Sequence, residues 1–563
     1  MADNSKSGDK NGELAPWPGS HQMPRWDVGP LVDAPYFTWK NWFALLGPGL
    51  LMGGAAIGGG EWLTGPAVTA RYGGSLMWLA ALSILGQVVY NLEISRYALY
   101  TGEPIFTGKF RTLPGPRFWV FAYLLFDFGA VFPYLAANAA TPLAAVILGE
   151  LPEATRAWQT ISLGGNVWEL TEGNLMKGLG ILIFLMSLLP LIFGGKIYNA
   201  LKGIMIFKII TVFGFLVFLA IAFSTWETWS EILTGMVSFG SIPIQGESTN
   251  AVDNIFLSLW RGDGIPAIDL SSIAVLASFA AIAGQGGLSN TPLSNYTRDQ
   301  GWGMGYHVGA IPSVVGGHNI SLSHVGMVFD VNDETLPRWR RWYRHVMRDQ
   351  LAVWMPACFI GLALPSMLSL QFLPRGRGIE GWTAAAMTAE GVRDNVARTS
   401  WGANLGDAFW YMTLFCGFMV LAPTMASTID GIVRRWVDVF WTSSARLREW
   451  ETRKIRNLYF YVLTGYSAFG LAALCLGNPE TLLKVAANFL NFALGFSSLH
   501  VLVINTTLLP QKLKPNWFIR VGLVLTAVFF ITLSAMQLPT TIKMVKKEWF
   551  SSGATATVEQ ARP

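Results

Sequence analysis

The sequence predicts an all-α, polytopic membrane protein, and three observations predict it. Of its 563 residues, 52% are hydrophobic and only 13% are charged, about half the charged share of an ordinary globular chain. The mean hydropathy is +0.40, and the apolar residues fall in continuous runs of the roughly 20 residues a helix needs to cross a bilayer. The chain also carries 24 Trp and 35 Phe, residues that collect at bilayer interfaces. Such runs must be helical, because lipid offers the backbone no hydrogen-bond partner. The short alternating segments of a transmembrane barrel are not seen. Cys358, Cys416 and Cys475 all lie in apolar stretches and read as packing thiols, which excludes a secreted disulfide scaffold.

Taken in order, residues 1–39 are polar and mixed in charge, with no basic stretch leading into an apolar run, and read as a cytoplasmic tail. Apolar segments follow at about 41–63, 74–99, 117–148, 177–195, 199–223, 271–290, 351–373, 405–429, 457–476, 481–507 and 515–537. With the N-terminus inside, the inner loops hold Arg96, Lys109, Arg111, Lys196, Lys202, the arginines between Arg338 and Arg348, and those between Arg434 and Arg456. The outer loops are poorer in Lys and Arg, as the positive-inside rule requires. That bias accounts for the net charge of +5, so nucleic acid is unnecessary as a partner. Eleven crossings place the C-terminus outside. The chain divides into a first five-span repeat at 40–223, an acidic outer loop at 224–270, a second repeat at 271–507 with a cytoplasmic insertion at 291–349, and an eleventh span and outer tail at 508–563. A plasma or inner membrane is the expected location.

Two spans cannot be straight helices. The first runs through Gly53-Gly54 to Gly58-Gly59-Gly60-Glu61. Each glycine costs up to about 1 kcal/mol relative to alanine, and a glutamate at bilayer depth costs about 2.5 kcal/mol or more unless it faces protein or water. The sixth repeats the pattern at Gly284-Gln285-Gly286-Gly287-Leu288-Ser289-Asn290. Matching interruptions in two five-span halves point to an inverted-repeat secondary transporter, where unwound backbone and half-helix ends form a mid-membrane site. Close helix packing on small residues is the competing reading.

Other residues carry weaker signals. Asp127 sits in the apolar run Leu125-Phe126-Asp127-Phe128 and is a candidate coupling or relay acid, or else a packing partner. Glu93 is a second candidate acid, and Arg96 three residues later can pair with it on one helix face. Lys208 and Lys484 either snorkel or take the place of a bound cation. Arg338 to Met347 mixes Arg with Trp and Tyr as an interfacial helix does. His307, His318 and His324 share one window, but their spacing fits no metal signature. HExxH, a P-loop and a nucleophile elbow are all missing, which argues against an enzyme.

Several short motifs carry a resemblance. Gly47-Pro48-Gly49, the run from Gly86 through Arg96 to Thr101-Gly102, Tyr198-Asn199-Ala200-Leu201, Ser427-Thr428-Ile429-Asp430-Gly431 and the stretch Asn488 to Phe492 resemble segments of the Nramp family of proton-coupled divalent-metal transporters. The likeness extends from about 40 to 540 and implies the LeuT-type fold, two inverted five-helix repeats plus an eleventh span. The departures fall on the site. Where the family has Asp-Pro-Gly-Asn, this chain has Gly58, Gly59, Gly60 and Glu61. Where the family has a methionine followed by Pro-His, it has Gly287, Leu288 and Ser289. Met425 stands at the place of a glutamine.

With the thioether gone, selection of a soft transition metal is hard to build, whereas carboxylate and carbonyl oxygens suit Mg²⁺, Ca²⁺ and Mn²⁺. The candidate substrate site is therefore Gly58, Gly59, Gly60, Glu61, Gly284, Gln285, Gly287, Ser289, Asn290 and Thr424. Glu61 and Gln285 are the expected cation ligands. The sequence reading is a transporter of a hard divalent cation, Mg²⁺-like or Mn²⁺, working by alternating access with protons as a candidate coupling ion. No resident cofactor is expected, and the partners are the bilayer and a small cation or polar solute. A symporter of a small organic solute and a transport-inactive sensor are the alternatives.

Overall fold

The computed structural model describes residues 19–38, 47, 49, 52–53, 59–163, 166–193, 196–246, 250–308, 325–376, 386–400, 402–448, 450 and 452–550. Among them, nine helices are long and apolar enough to cross a membrane, or up to ten if the bent pair Glu61–Leu76 and Trp78–Thr101 counts as one span. The chain is an all-α, multi-pass membrane protein. Most of the first expected span lies outside the described residues; the helix Gly59–Tyr72 starts within it and runs on past its expected end near 63. The expected segments from 74 onward correspond to Trp78–Thr101, Pro116–Leu148, Glu172–Phe193, Lys196–Phe223, Leu270–Asn290, Thr335–Phe372, Gly402–Ser443, Thr452–Leu476, Pro479–Thr507 and Trp517–Val545.

Local chemistry sets the ends. Span two stops at Gly102, which takes a left-handed conformation and returns its amide to the Ala98 carbonyl. Spans ten and eleven begin where Asn478 and Asn516 cap the amides of Thr481 and Ile519. Span three is not one straight helix. Its first half ends at Phe126, a tight turn runs from Asp127 to Val131, and a second helix begins at Tyr134. Pro133, which has no amide to donate, precedes that restart. Span eight continues to Ser443, well past the expected 429, and carries Arg434, Arg435 and Asp438 beyond its apolar part.

The sixth span is broken. Its first helix, Ile273–Ile282, gives way to a four-residue loop, a short turn at Gly287–Asn290 and a second helix at Pro292–Asp299. Gly286 shows why glycine is needed there. Its φ is +68°, and a Cβ would lie 2.2 Å from the Ala281 carbonyl oxygen. The sixth span packs against the second half of span one and against spans two, ten and eleven, with Leu276, Phe279 and Leu288 buried. The break in span six thus sits inside protein, where unwound backbone is tolerable.

Outside the spans, residues 19–38 form an extended strap at one end of the bundle. Asp27–Val28 pairs in parallel with Met327–Val328, Arg111 donates to the Pro24 carbonyl at 2.6 Å, and Trp342 donates to the Val32 carbonyl at 2.9 Å. Met23, Trp26 and Leu31 are buried. The buried Arg111–Glu103 pair lies beneath, with the Arg111 guanidinium 5.0 Å from the Trp26 ring centre. At the other end, the segment 224–270 folds into a helix at Trp226–Val237, a two-strand hairpin and a short helix at Ile255–Arg261. Glu231 there pairs with Arg375.

Candidate functional site

Glu61 lies in the first turn of the half-helix Gly59–Tyr72 and is 2% exposed. The partial positive charge at a helix start favours a carboxylate at that place. Its Oε1 accepts a hydrogen bond from the Gly284 amide at 2.9 Å. The next residue works on the other half of the first span, as the Gln285 side-chain amide donates to the Met52 carbonyl at 2.6 Å. The break in span six is therefore tied to the first span both at Met52 and at Glu61. Gly58 lies outside the described residues, and Gly59 and Gly60 open the half-helix that carries Glu61.

A residue that the sequence did not single out fills the sixth break. Gln87 of span two is fully buried. Its Oε1 accepts from the amides of Gln285 at 3.1 Å and Gly286 at 3.2 Å, and from the Asn290 side chain at 2.9 Å. Its Nε2 donates to the Ala283 carbonyl at 2.7 Å and to Ser83 at 3.0 Å. One carboxamide thus satisfies donors and an acceptor that unwinding leaves free. A lone glutamine in an apolar span gives no periodic signal, and a polar side chain at that depth is the only hint it offers.

Among the described residues, the Oδ1 of Asn290 is buried and has no hydrogen-bond partner, and the same holds for Asn491 Oδ1 on span ten. The Asn491 amide holds the Ala277 carbonyl of the sixth span at 3.0 Å. Gly287 and Ser289 belong to the turn at Gly287–Asn290, where Gly287 is buried and Ser289 half-buried. The Thr424 hydroxyl does not face the break directly. It donates to the Val420 carbonyl and accepts from the Lys208 ammonium at 2.8 Å. Lys208, on span five, is fully buried and within charge-interaction range of Glu61, as are Tyr134 and Cys358.

The two candidate coupling acids each occupy an ion pair. Asp127 sits at the bend of span three and takes Arg435 in a forked contact at 2.6 to 3.0 Å, with the Trp436 indole adding a third donor at 2.6 Å. Arg435 also donates to the Leu288 carbonyl at 3.0 Å, which links Asp127 to the sixth-span turn. Glu93 pairs with Arg96 at 2.8 Å, three residues along the same helix as its spacing implies, and accepts from Asn505 at 2.8 Å. The Arg96 guanidinium lies 4.3 Å from the Tyr343 ring centre. Lys484 pairs with Glu480 one turn earlier, a surface-type contact rather than a cation-like position. His307 donates from Nε2 to the Pro30 carbonyl of the strap at 2.7 Å, while His318 and His324 lie outside the described residues.

A second buried lysine stands in the short helix Ile105–Arg111, between spans two and three. Lys109 donates to Ser497 at 2.8 Å and sits 4.4 Å and 4.1 Å from the ring centres of Phe106 and Tyr123. Burial pushes its ammonium well below the usual lysine range; Arg435 adds to that push and Asp127 opposes it.

No family model matches the chain. A protein of Pasteurella multocida described as uncharacterized is 30% identical over 151 residues, a match that covers 26% of this chain and 34% of that relative. The chain thus spans about a third of the length of the curated relative it matches. Two solved variants of a manganese transporter from Eremococcus coleocola superpose with a TM-score of 0.54 at 13% identity, covering 92% of this chain and 90% of theirs. A structure of that transporter in complex with an aromatic bis-isothiourea compound gives 0.50 at 14% identity, covering 91% and 90%. The chain shares the fold of those proteins.

Proposed function

We propose that this protein is a secondary-active transporter that carries a small hard cation, Mg²⁺-like or Mn²⁺, across the membrane by alternating access around the paired breaks of spans one and six. The observation that carries this reading is the Gly284–Glu61 hydrogen bond, which sets a buried carboxylate against unwound backbone inside the bundle. The unpartnered Asn290 oxygen, the Ser289 hydroxyl, the Gln285 carbonyl oxygen and Glu61 make an all-oxygen donor set, the chemistry that hard cations prefer. Among the described residues, no three His, Cys, Asp or Glu side chains gather as a metal cage. A cation bound here therefore keeps part of its water, as Mg²⁺ tends to do. The shared fold with a manganese transporter supports the cation. Glu61 is the group that would take a proton when the cation leaves, and Asp127 or Glu93 would relay one only by opening its ion pair. In this reading the strap and the arginine-rich helix lie on the cytoplasmic side.

A second reading is favoured by Lys208. Its amine is fully buried on span five against Thr424, and a divalent cation entering near it would add positive charge to a poorly solvated site. A neutral or zwitterionic organic solute would not. Uptake of radiolabelled Mn²⁺ and of ²⁸Mg²⁺ into proteoliposomes, with and without a pH gradient, separates the two. Saturable divalent uptake supports the first, and none in either condition removes it.

A further inference from the structure

The helix Thr335–Asp349 that leads into span seven sorts its arginines onto two faces. Arg338 and Arg341 turn toward the protein, where Arg338 donates to Glu334 at 2.6 Å and Arg341 to Asp33 of the strap at 3.0 Å. Trp339, Trp342 and Val346 are buried on that face, while Arg338 and Arg341 themselves stay half-exposed. Arg340, Arg344 and Arg348 are exposed. They follow one another at four-residue intervals, so they form a single stripe with ~6 Å between successive positions. Among the described residues no carboxylate pairs with any of the three, and Arg348 only covers the ring of Phe37 at 4.4 Å.

The stripe does not end in water. Leu351 and Ala352 follow Arg348 directly through a π-helical turn at Gln350–Trp354, and both are exposed, Leu351 by 40%. These open the apolar part of a continuous helix that runs to Phe372. From Leu351 to Phe372 that helix rises ~30 Å, the thickness of the hydrocarbon core. The arginine face is thus the lipid-facing side of span seven, prolonged just past the edge of the hydrocarbon. Arg348 and Arg344 fall at headgroup depth, and Arg340 at its outer margin. The positive-inside rule explains why arginines occur there. It does not explain why three of them line up over lipid while their neighbours are matched by Asp33 and Glu334.

We infer that Arg340, Arg344 and Arg348 form a binding site for the phosphate headgroup of an anionic phospholipid. A guanidinium takes phosphate oxygens through a two-pronged contact, and three in register can grip one headgroup or two neighbours. The occupant is lipid rather than a soluble anion because Leu351 and Ala352 continue the site into acyl-chain territory.

The test uses the full-length protein in nanodiscs of phosphatidylcholine containing a minority of phosphatidylglycerol, with native mass spectrometry of the lipids retained on release. Each arginine near an anionic surface contributes on the order of fivefold, so phosphatidylglycerol is expected to be enriched by about tenfold or more. The triple variant R340Q/R344Q/R348Q should lower that enrichment to about twofold or less. These side chains are exposed and unpaired with acids, so the fold should persist; R344Q alone, expected to lose about fivefold, serves should the triple variant not assemble. Undiminished enrichment in both variants overturns the site. Equal displacement of phosphatidylglycerol by inorganic phosphate in detergent overturns the assignment to lipid.

Discussion

The Gly284 amide donates to the Glu61 carboxylate across 2.9 Å, although the two residues lie 223 positions apart. An amide freed by unwinding in span six is satisfied by an acid at the start of a half-helix in span one. The unwound backbone of span six supplies the donor and the helix Gly59–Tyr72 the acceptor, which is the physical reason the two sit together. Removing either partner should disturb both spans.

Gly286→Ala tests the unwound geometry. With φ at +68° and the Ala281 oxygen 2.2 Å from the new Cβ, this substitution should lower stability by about 1–3 kcal/mol, whereas Gly→Ala in a regular helix raises it. Thermal melting in detergent reads the sign. A stabilised variant would mean that the sixth span is helical through this point.

Gln87→Leu keeps the volume and removes the carboxamide. The Gln285 and Gly286 amides, the Asn290 side chain and the Ala283 carbonyl then lose a partner, at about 1–3 kcal/mol for each group that stays buried. The Gln285 and Gly286 amides should exchange with deuterium faster than in the parent. Unchanged exchange there would remove Gln87 from its assigned role.

Asp127→Asn should be among the most damaging single changes outside the breaks. It leaves the Arg435 guanidinium buried without its acid, a loss of about 3–5 kcal/mol. The double variant D127N/R435M should recover part of it. A cycle showing no coupling between the two positions would contradict a structural ion pair.

Lys109 gives a pH signature. Its folded pKa lies below the ordinary 10.5, so between those values the unfolded chain binds the proton and the folded chain does not. Stability relative to Lys109→Met should therefore rise with pH across that window, by up to about 1.4 kcal/mol per pH unit, and level off above it. Paired melts from pH 7 to 11 measure the slope. A difference that stays flat means that Lys109 is fully protonated in the fold.

How much was legible in the sequence follows the range of the interactions. The sixth-span break announced itself because the cluster from Gly284 to Asn290 violates helix propensity within a few residues; of the three glycines before Glu61, Gly58 lies outside the described residues and Gly59 and Gly60 are helical. Glu93 and Arg96 were readable as a pair because helical spacing alone brings them together. Gln87, Arg435 and Lys109 were not, since each acts on residues roughly 150 to 400 positions away and no local pattern marks them. The strap read as a polar tail for the same reason. Residues such as Trp26 and Leu31 have no periodicity, and they are buried only because Tyr100, Arg111 and Trp342 receive them. Span three looked continuous in hydropathy, which cannot register the tighter turn at Asp127–Val131 or the restart after Pro133.

The most direct measurement is calorimetric titration of the purified protein with Mg²⁺ and Mn²⁺, alongside Glu61→Gln. Glutamine keeps an oxygen for the Gly284 amide, so the breaks should hold while the charge is lost. A cation site at Glu61 predicts saturable binding that weakens at least about tenfold in the variant, or 1.4 kcal/mol. Binding of equal strength in both proteins would contradict it.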